Sequence, residues 1–215
     1  MIKAILLDMD GTIVNSEKHY VDGTVEWITK KGYDFKRSDA CKIIGLKEKE
    51  TYEALSLMTG MPYEEIKECN EHYFNIENVL NYSNYVFPDT EPTLKELKQR
   101  GYHIAICSTS STMLVERCIE QLGLKDYIDY YCCGDQVLNP KPDPEIYLKS
   151  LDKIKVKTSE AIVIEDSYNG ILAAKRAGLY TCARRDTQFG IDQSQADIII
   201  DSLIDIIKVI ECLKK

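Results

Sequence analysis

Nowhere in this 215-residue chain do about 18 to 20 apolar residues follow one another, the length a helix needs to cross a bilayer, so no membrane span is expected. Positive charge is short as well: 27 Lys and Arg stand against 35 Asp and Glu, a net charge of -8. Nucleic acid and anionic lipid are held mainly by clustered cations, so neither is an expected partner. Histidine is scarce and scattered at His19, His72 and His103, and the eight cysteines contain no CxxC pair, which leaves a zinc site little support. Exact repeats and low-complexity tracts are missing too, arguing against a solenoid or a disordered chain. The opening "MIKAILLDMDG" passes from one lysine to acids with no cleavable signal pattern, so a cytoplasmic protein with reduced thiols is expected.

What is present is a globular composition with a distinct rhythm. Short apolar runs alternate with longer amphipathic stretches, the pattern of βα units around a parallel sheet. Strands are predicted at Lys3–Asp8, His103–Ser108, Ile128–Cys133, Ala161–Asp166, Leu179–Ala183 and Asp197–Ile200. Helix-like segments separate them, among them "EPTLKELKQRG", "STMLVERCIEQLG", "PEIYLKSLDKI" and "YNGILAAKRAG". The fold class is therefore α/β, a Rossmann-like doubly wound parallel sheet. Between the first strand and Pro88 the rhythm fails, and only helical periodicity is found. A βα loop normally spans a few residues, so this interval is an inserted helical domain. The expected division is residues 1–15 and 83–215 for the α/β core and 16–82 for the helical cap. The stripe Tyr73, Phe74, Ile76, Val79, Leu80 is expected to form cap core.

In open parallel sheets ligands bind beyond the carboxyl ends of the strands, so the polar residues ending these strands belong together. They are Asp8 and Asp10, then Ser108, then Lys141, then Glu165 and Asp166. Several carboxylates converging on one crevice are disfavoured unless a cation joins them. Mg2+ suits an oxygen-only set, because it keeps waters while accepting one or two carboxylates and a substrate phosphate. Lys141 and Ser108 are then donors for the remaining phosphoryl oxygens. The constellation points to phosphoryl transfer.

These residues also match a family. "DMDGT", "ICSTS", "KPDPEIY" and "VIEDSYNGI" resemble, in order, the four motifs of the haloacid dehalogenase superfamily, and the likeness spans nearly the whole chain. Its helical-capped phosphatases, phosphoglycolate phosphatase among them, and β-phosphoglucomutase-like members are the most similar in layout. The resemblance implies that Asp8 attacks phosphorus and becomes an aspartyl phosphate, with Asp10 as general acid and base. It implies Mg2+ held by the Asp8 side chain, the Asp10 backbone carbonyl and Asp166, with Glu165 either a ligand or an outer partner. Ser108 and Lys141 complete the catalytic set. Gly11 lets the turn approach the phosphate, Thr12 supports that turn through its hydroxyl, and Thr109, Ser110 and Lys47 are candidate substrate contacts.

Within the family, Asp10 argues for phosphate chemistry over carbon–halogen cleavage, which has no leaving oxygen to protonate. The leading expectation is a Mg2+-dependent phosphatase acting on a small phosphorylated metabolite, the chain working as a monomer. A β-phosphoglucomutase-type enzyme is the alternative. The mutase pattern has Arg after a cap glycine, a hinge-side His and Lys-Asn after the second motif's serine. Here "GLKEKET" offers Lys47 and Lys49, Tyr20 stands beside His19, and Ser111 and Thr112 follow "STS". Lysine does not hold phosphate as arginine does. A third reading is an idle member that only binds a phosphorylated ligand.

Overall fold

The protein is described from a computed structural model covering residues 1–44, 46 and 48–213. In chain order the elements are β1 (Ala4–Leu7), α1 (Ser16–Lys30), α2 (Arg37–Ala40), α3 (Glu48–Thr59) and α4 (Tyr63–His72). There follow α5 (Thr90–Gln99), β2 (His103–Ser108), α6 (Thr112–Gln121), β3 (Tyr130–Cys133) and α7 (Glu145–Ile154). The chain closes with β4 (Ala161–Glu165), α8 (Tyr168–Arg176), β5 (Tyr180–Arg184), β6 (Ile198–Ile200) and α9 (Ile206–Cys212). Two compact units result: Met1–Asn15 with Tyr82–Lys215, and Ser16–Asn81.

The first unit is an α/β layer structure. All six strands run parallel in the order β3-β2-β1-β4-β5-β6. From β1 the sheet grows outward through β2 and β3, then the chain returns to the other side of β1 as β4. The direction of growth reverses between β1 and β4, where such sheets open a crevice at their carboxyl ends. One sheet face carries mostly small side chains, Ala4, Ala105, Cys107, Cys132 and Val163 beside Leu6, and packs on Ile146, Tyr147 and Leu151 of α7 and Ala173 and Ala174 of α8. Small residues there let the helices approach closely. The alternate residues Ile5, Leu7, Ile104, Ile106, Ile162 and Ile164 are wholly buried on the other face. Each such side chain contributes about 2 kcal/mol of burial, so the central strands are held from both faces.

The strands differ from expectation at their ends. Asp8 and Asp166 lie just past β1 and β4, and Asp197 just before β6. Ile128 and Asp129 precede β3; the Asp129 carboxylate instead accepts from Ile104 N at 2.8 Å and Lys98 Nζ at 2.7 Å. After β1 the chain turns tightly, with Ile13 N and Val14 N donating to Met9 O and Gly11 N to Val14 O, all over buried Met9, Ile13 and Val14. The outgoing and returning crossings then pair: Val14 bridges Val86 antiparallel, Asn15 N donates to Tyr85 O, and Phe87 N to Ile13 O. Tyr82, expected in the helical insert, falls in the α/β unit, where it is buried and its N–H donates to Gln121 Oε1.

The second unit is helical. Val21, Trp27 and Ile28 of α1, Tyr52 and Leu55 of α3 and Ile66 of α4 are among its buried apolar side chains. The aromatic stripe is only partly core. Tyr73 and Leu80 are buried, and Phe74 packs on Gly23, His19 and Tyr20, whereas Ile76 and Val79 are exposed. Residues Tyr73–Glu77 form a π turn, which breaks the 3.6-residue spacing that would have kept the stripe on one face. All eight cysteines are free. No described helix is long and apolar enough to cross a membrane.

Candidate active site

Register brings the predicted site residues to one end of the sheet. Leu7 pairs with Ile106 and with Ile164, so Asp8 emerges level with Cys107 and Glu165. Its N–H donates to Ile164 O at 2.9 Å. Its buried carboxylate accepts from Lys141 Nζ at 2.5 Å. Lys141, on the loop between β3 and α7, also donates to Cys107 O at 2.8 Å and Glu165 Oε1 at 2.7 Å. Those three bonds take up all three ammonium protons, so the lysine is fixed rather than floating. The Tyr147 ring lies beneath it, 5.2 Å away.

Glu165 is wholly buried and fully engaged. Oε1 accepts from Lys141 and from Tyr147 Oη at 3.1 Å. Oε2 accepts from the N–H groups of Asp166 and Ser167 and from Ser167 Oγ, each at 2.9 Å. Both oxygens of this carboxylate are thus engaged by protein donors, five in all, one of them the Lys141 ammonium. Gly170 lies against it: a Cβ there would sit 1.6 Å from Glu165 Oε1, so only glycine lets the first turn of α8 close over the carboxylate. Tyr147 and Ser167 escaped sequence reasoning. The signal was present in part, because both lie within the quoted motifs "KPDPEIY" and "VIEDSYNGI".

The electrostatics follow from one lysine shared by two buried carboxylates. For Glu165, burial pushes the pKa up, but Lys141 and the Ser167 donors outweigh it and hold the group below its ordinary value. For Lys141, burial favours the neutral form, yet Asp8 and Glu165 keep the ammonium charged well above its ordinary pKa. Asp8 is left with the deficit. Burial, aided by Glu165 and Asp10 and opposed by Lys141, pushes its carboxyl up to about 8. Among the described residues, Lys141 is the cation paired with Asp8. The groups that could hold a cation here, the Asp8 and Asp166 carboxylates and the Asp10 main-chain carbonyl, are oxygen donors of the kind a hard divalent cation takes. Among the described residues no group of three or more His, Cys, Asp or Glu forms a metal cage by itself.

Asp10 is held differently. Its Oδ2 accepts from Ser110 Oγ at 2.9 Å and Ser108 Oγ at 3.4 Å, and Ser110 N donates to Ser108 Oγ at 3.1 Å. Asp166 is drawn to the same turn, since a Cβ on Gly11 would sit 1.8 Å from Asp166 Oδ2, and Gly11 has φ of 78°. Glycine is needed there on both counts. Thr12 departs from expectation. Its hydroxyl is buried without a hydrogen-bond partner, and the turn is held by backbone bonds instead. Thr109 is exposed, and its carbonyl packs on Gly134. Lys47 lies outside the described residues.

Comparison with known proteins agrees with this layout. The haloacid dehalogenase-like hydrolase family matches residues 5–184. The chain belongs to that family. It is 31% identical over 183 residues to the phosphorylated carbohydrates phosphatase of Thermotoga maritima, covering 83% of this chain and 82% of that one. It is 26% identical over 222 residues to the pyrophosphatase PpaX of Bacillus cereus, covering 100% and 99%. In structure it resembles the β-phosphoglucomutase of Clostridium difficile with a TM-score of 0.71, at 22% identity and full coverage of both chains, a likeness of fold.

Proposed function

We propose that the protein is a Mg2+-dependent phosphatase of small phosphorylated metabolites, working through an aspartyl phosphate on Asp8. The observation that carries this reading is the different treatment of two carboxylates two residues apart. Asp8 is clamped by Lys141, while Asp10 rests on the hydroxyls of Ser108 and Ser110. Fixed in place, Asp8 is suited to attack phosphorus; Asp10, on hydroxyl donors that accommodate either protonation state, is suited to carry the proton. Asp10 gives that proton to the leaving oxygen and takes one from the water that releases phosphate. Lys141 holds the Asp8 carboxylate in line and offsets charge gathering on the phosphoryl oxygens.

Asp8, Asp166 and the Asp10 carbonyl would hold Mg2+, which when bound supplies the positive charge that Asp8 and the phosphate together require. Glu165 fixes Lys141 from behind. The helical unit Ser16–Asn81 is read as the cap that carries substrate choice. Relatives named for phosphorylated carbohydrates and for pyrophosphate support a small phosphorylated substrate.

The test is a panel of phosphorylated sugars, phosphoglycolate, nucleoside monophosphates and pyrophosphate with Mg2+, scoring free phosphate and isomerised product separately. Free phosphate from the wild type, lost by roughly 10⁴-fold or more in Asp8→Asn, is expected for a nucleophile within a cooperative catalytic set. Isomerised sugar phosphate without net phosphate release would instead establish a mutase. Release that survives Asp8→Asn would overturn the nucleophile.

A further inference from the structure

Beyond the strand ends, a buried polar pair ties the two carboxylate-bearing turns together. Gln193 lies in the loop between β5 and β6 and is 7% exposed. Its Nε2 donates to the main-chain carbonyl of Asp166 at 2.7 Å and to that of Arg184 at 2.6 Å. Its Oε1 accepts from Asp186 N at 3.1 Å. With two carbonyls on one side and an N–H on the other, every hydrogen-bonding group of the amide is engaged and only one orientation satisfies all three.

Arg184, at the end of β5 and 8% exposed, continues the connection. It donates to the main-chain carbonyl of Thr12 at 3.1 Å and to Asp89 Oδ1 at 3.0 Å, with its guanidinium 3.7 Å from the centre of the Phe87 ring. One continuous path therefore runs from the Asp166 backbone through Gln193 and Arg184 to the turn that carries Asp8 and Asp10. The Asp166 carboxylate and Gly11 leave no room between them for even a methyl group, so a small shift of either turn alters this contact. Neither Gln193 nor Arg184 belongs to the four motifs. A buried amide whose donors both reach main-chain carbonyls adds no charge and no apolar contact. What it supplies is a fixed separation between two loops.

We propose that Gln193 and Arg184 are positioning residues that set the spacing of the Asp166 turn and the Asp8–Thr12 turn, and through it the affinity for a divalent cation. This rests on the Mg2+ reading above. Partners that orient metal ligands from behind typically change affinity 10–100-fold when removed. A role confined to stability would lower the melting temperature and leave cation affinity alone.

The experiment titrates Mn2+ into the full-length protein and follows loss of the free-ion signal by electron paramagnetic resonance, well below the melting temperature. The proteins are wild type, Gln193→Ala, Arg184→Lys, Asp166→Asn and Leu97→Ala, the last a core truncation in α5 that loosens the fold elsewhere. The expected result is tight binding by wild type and Leu97→Ala, and loss in Asp166→Asn. Gln193→Ala and Arg184→Lys should bind about tenfold or more weakly. Arg184→Lys keeps a cation beside Asp89 without the guanidinium fork, so it serves if Gln193→Ala does not fold. Wild-type affinity in both variants, or equal weakening in Leu97→Ala, overturns the inference while leaving the metal site standing. No binding by wild type, or undiminished binding by Asp166→Asn, overturns the metal reading and this inference with it.

Discussion

Both ends of the same sheet carry lysine–carboxylate pairs, and the two ends use them differently. At the amino end Lys98 meets Asp129 at 2.7 Å and Lys175 meets Asp197 at 2.6 Å, each with side chains about 30% exposed. Each of those acids has a lysine of its own and a backbone N–H besides, from Ile104 and Thr181. At the carboxyl end one lysine stands between Asp8 and Glu165, with all three side chains at most 9% exposed. Pairs this exposed are screened by water and contribute little. Two buried carboxylates sharing one cation leave a charge unmatched, an arrangement suited to a further cation and an anionic substrate. What separates the two ends is therefore burial and stoichiometry, since the distances are nearly the same.

The sharpest way to break the comparison is to remove the lysine at the buried end. Lys141→Met strands two carboxylates in the core and should cost about 3–5 kcal/mol in urea unfolding at neutral pH, as when one partner of a buried pair is lost. A cost below about 1 kcal/mol, the range of exposed pairs, would mean that the two ends do not differ.

Next comes the close approach of Asp166 to the Asp8–Thr12 turn. Gly11→Ala places a methyl group where Asp166 Oδ2 lies and forces alanine into the left-handed region. The Mg2+ concentration for half-maximal turnover should rise about tenfold or more, as for a disturbed ligand support. An unchanged Mg2+ requirement would show that the contact has no bearing on the site.

The smallest effect belongs to the amino end. Burial raises the Asp129 pKa, but Lys98, the Ile104 N–H and His103 outweigh it and hold the carboxyl below its ordinary value. A depressed folded pKa contributes stability above the unfolded value near 4, lost as pH falls through the folded one. Asp129→Asn should therefore cost about 1 kcal/mol or less at pH 7 and lessen the fall in melting temperature below about pH 4. A larger cost at pH 7, or an unchanged acid limb, would contradict the assignment.

Much of this molecule was legible because its sheet is buried on both faces. Continuous apolar runs such as "AILL" and "AIVI", bounded by polar residues and separated by amphipathic stretches, suit strands covered on both faces, and the polar residue ending each run marks the crevice. The grouping of Asp8, Asp10, Ser108 and Lys141 followed from that rule. Illegible were contacts that depend on direction more than on position. That Glu165 faces Lys141 and Tyr147 while its neighbour Asp166 faces Gly11 is decided by strand alternation and the tight first turn of α8. Gln193 and Arg184 gave no signal, since a buried amide in a loop looks like any surface glutamine in one sequence. Ile76 and Val79 misled for a related reason, because periodicity presumes an α-helix and the π turn removes it.

The central step of the proposed reaction is transfer of the phosphoryl group to the Asp8 carboxylate. The most direct measurement is acid quenching of the enzyme during turnover of acetyl phosphate with Mg2+, followed by peptide mapping by mass spectrometry. One phosphoryl group on the peptide containing Asp8, absent in Asp8→Asn and cleared when substrate is exhausted, is the result this account predicts. Steady release of phosphate with no label on Asp8, or with label on another residue, would contradict it.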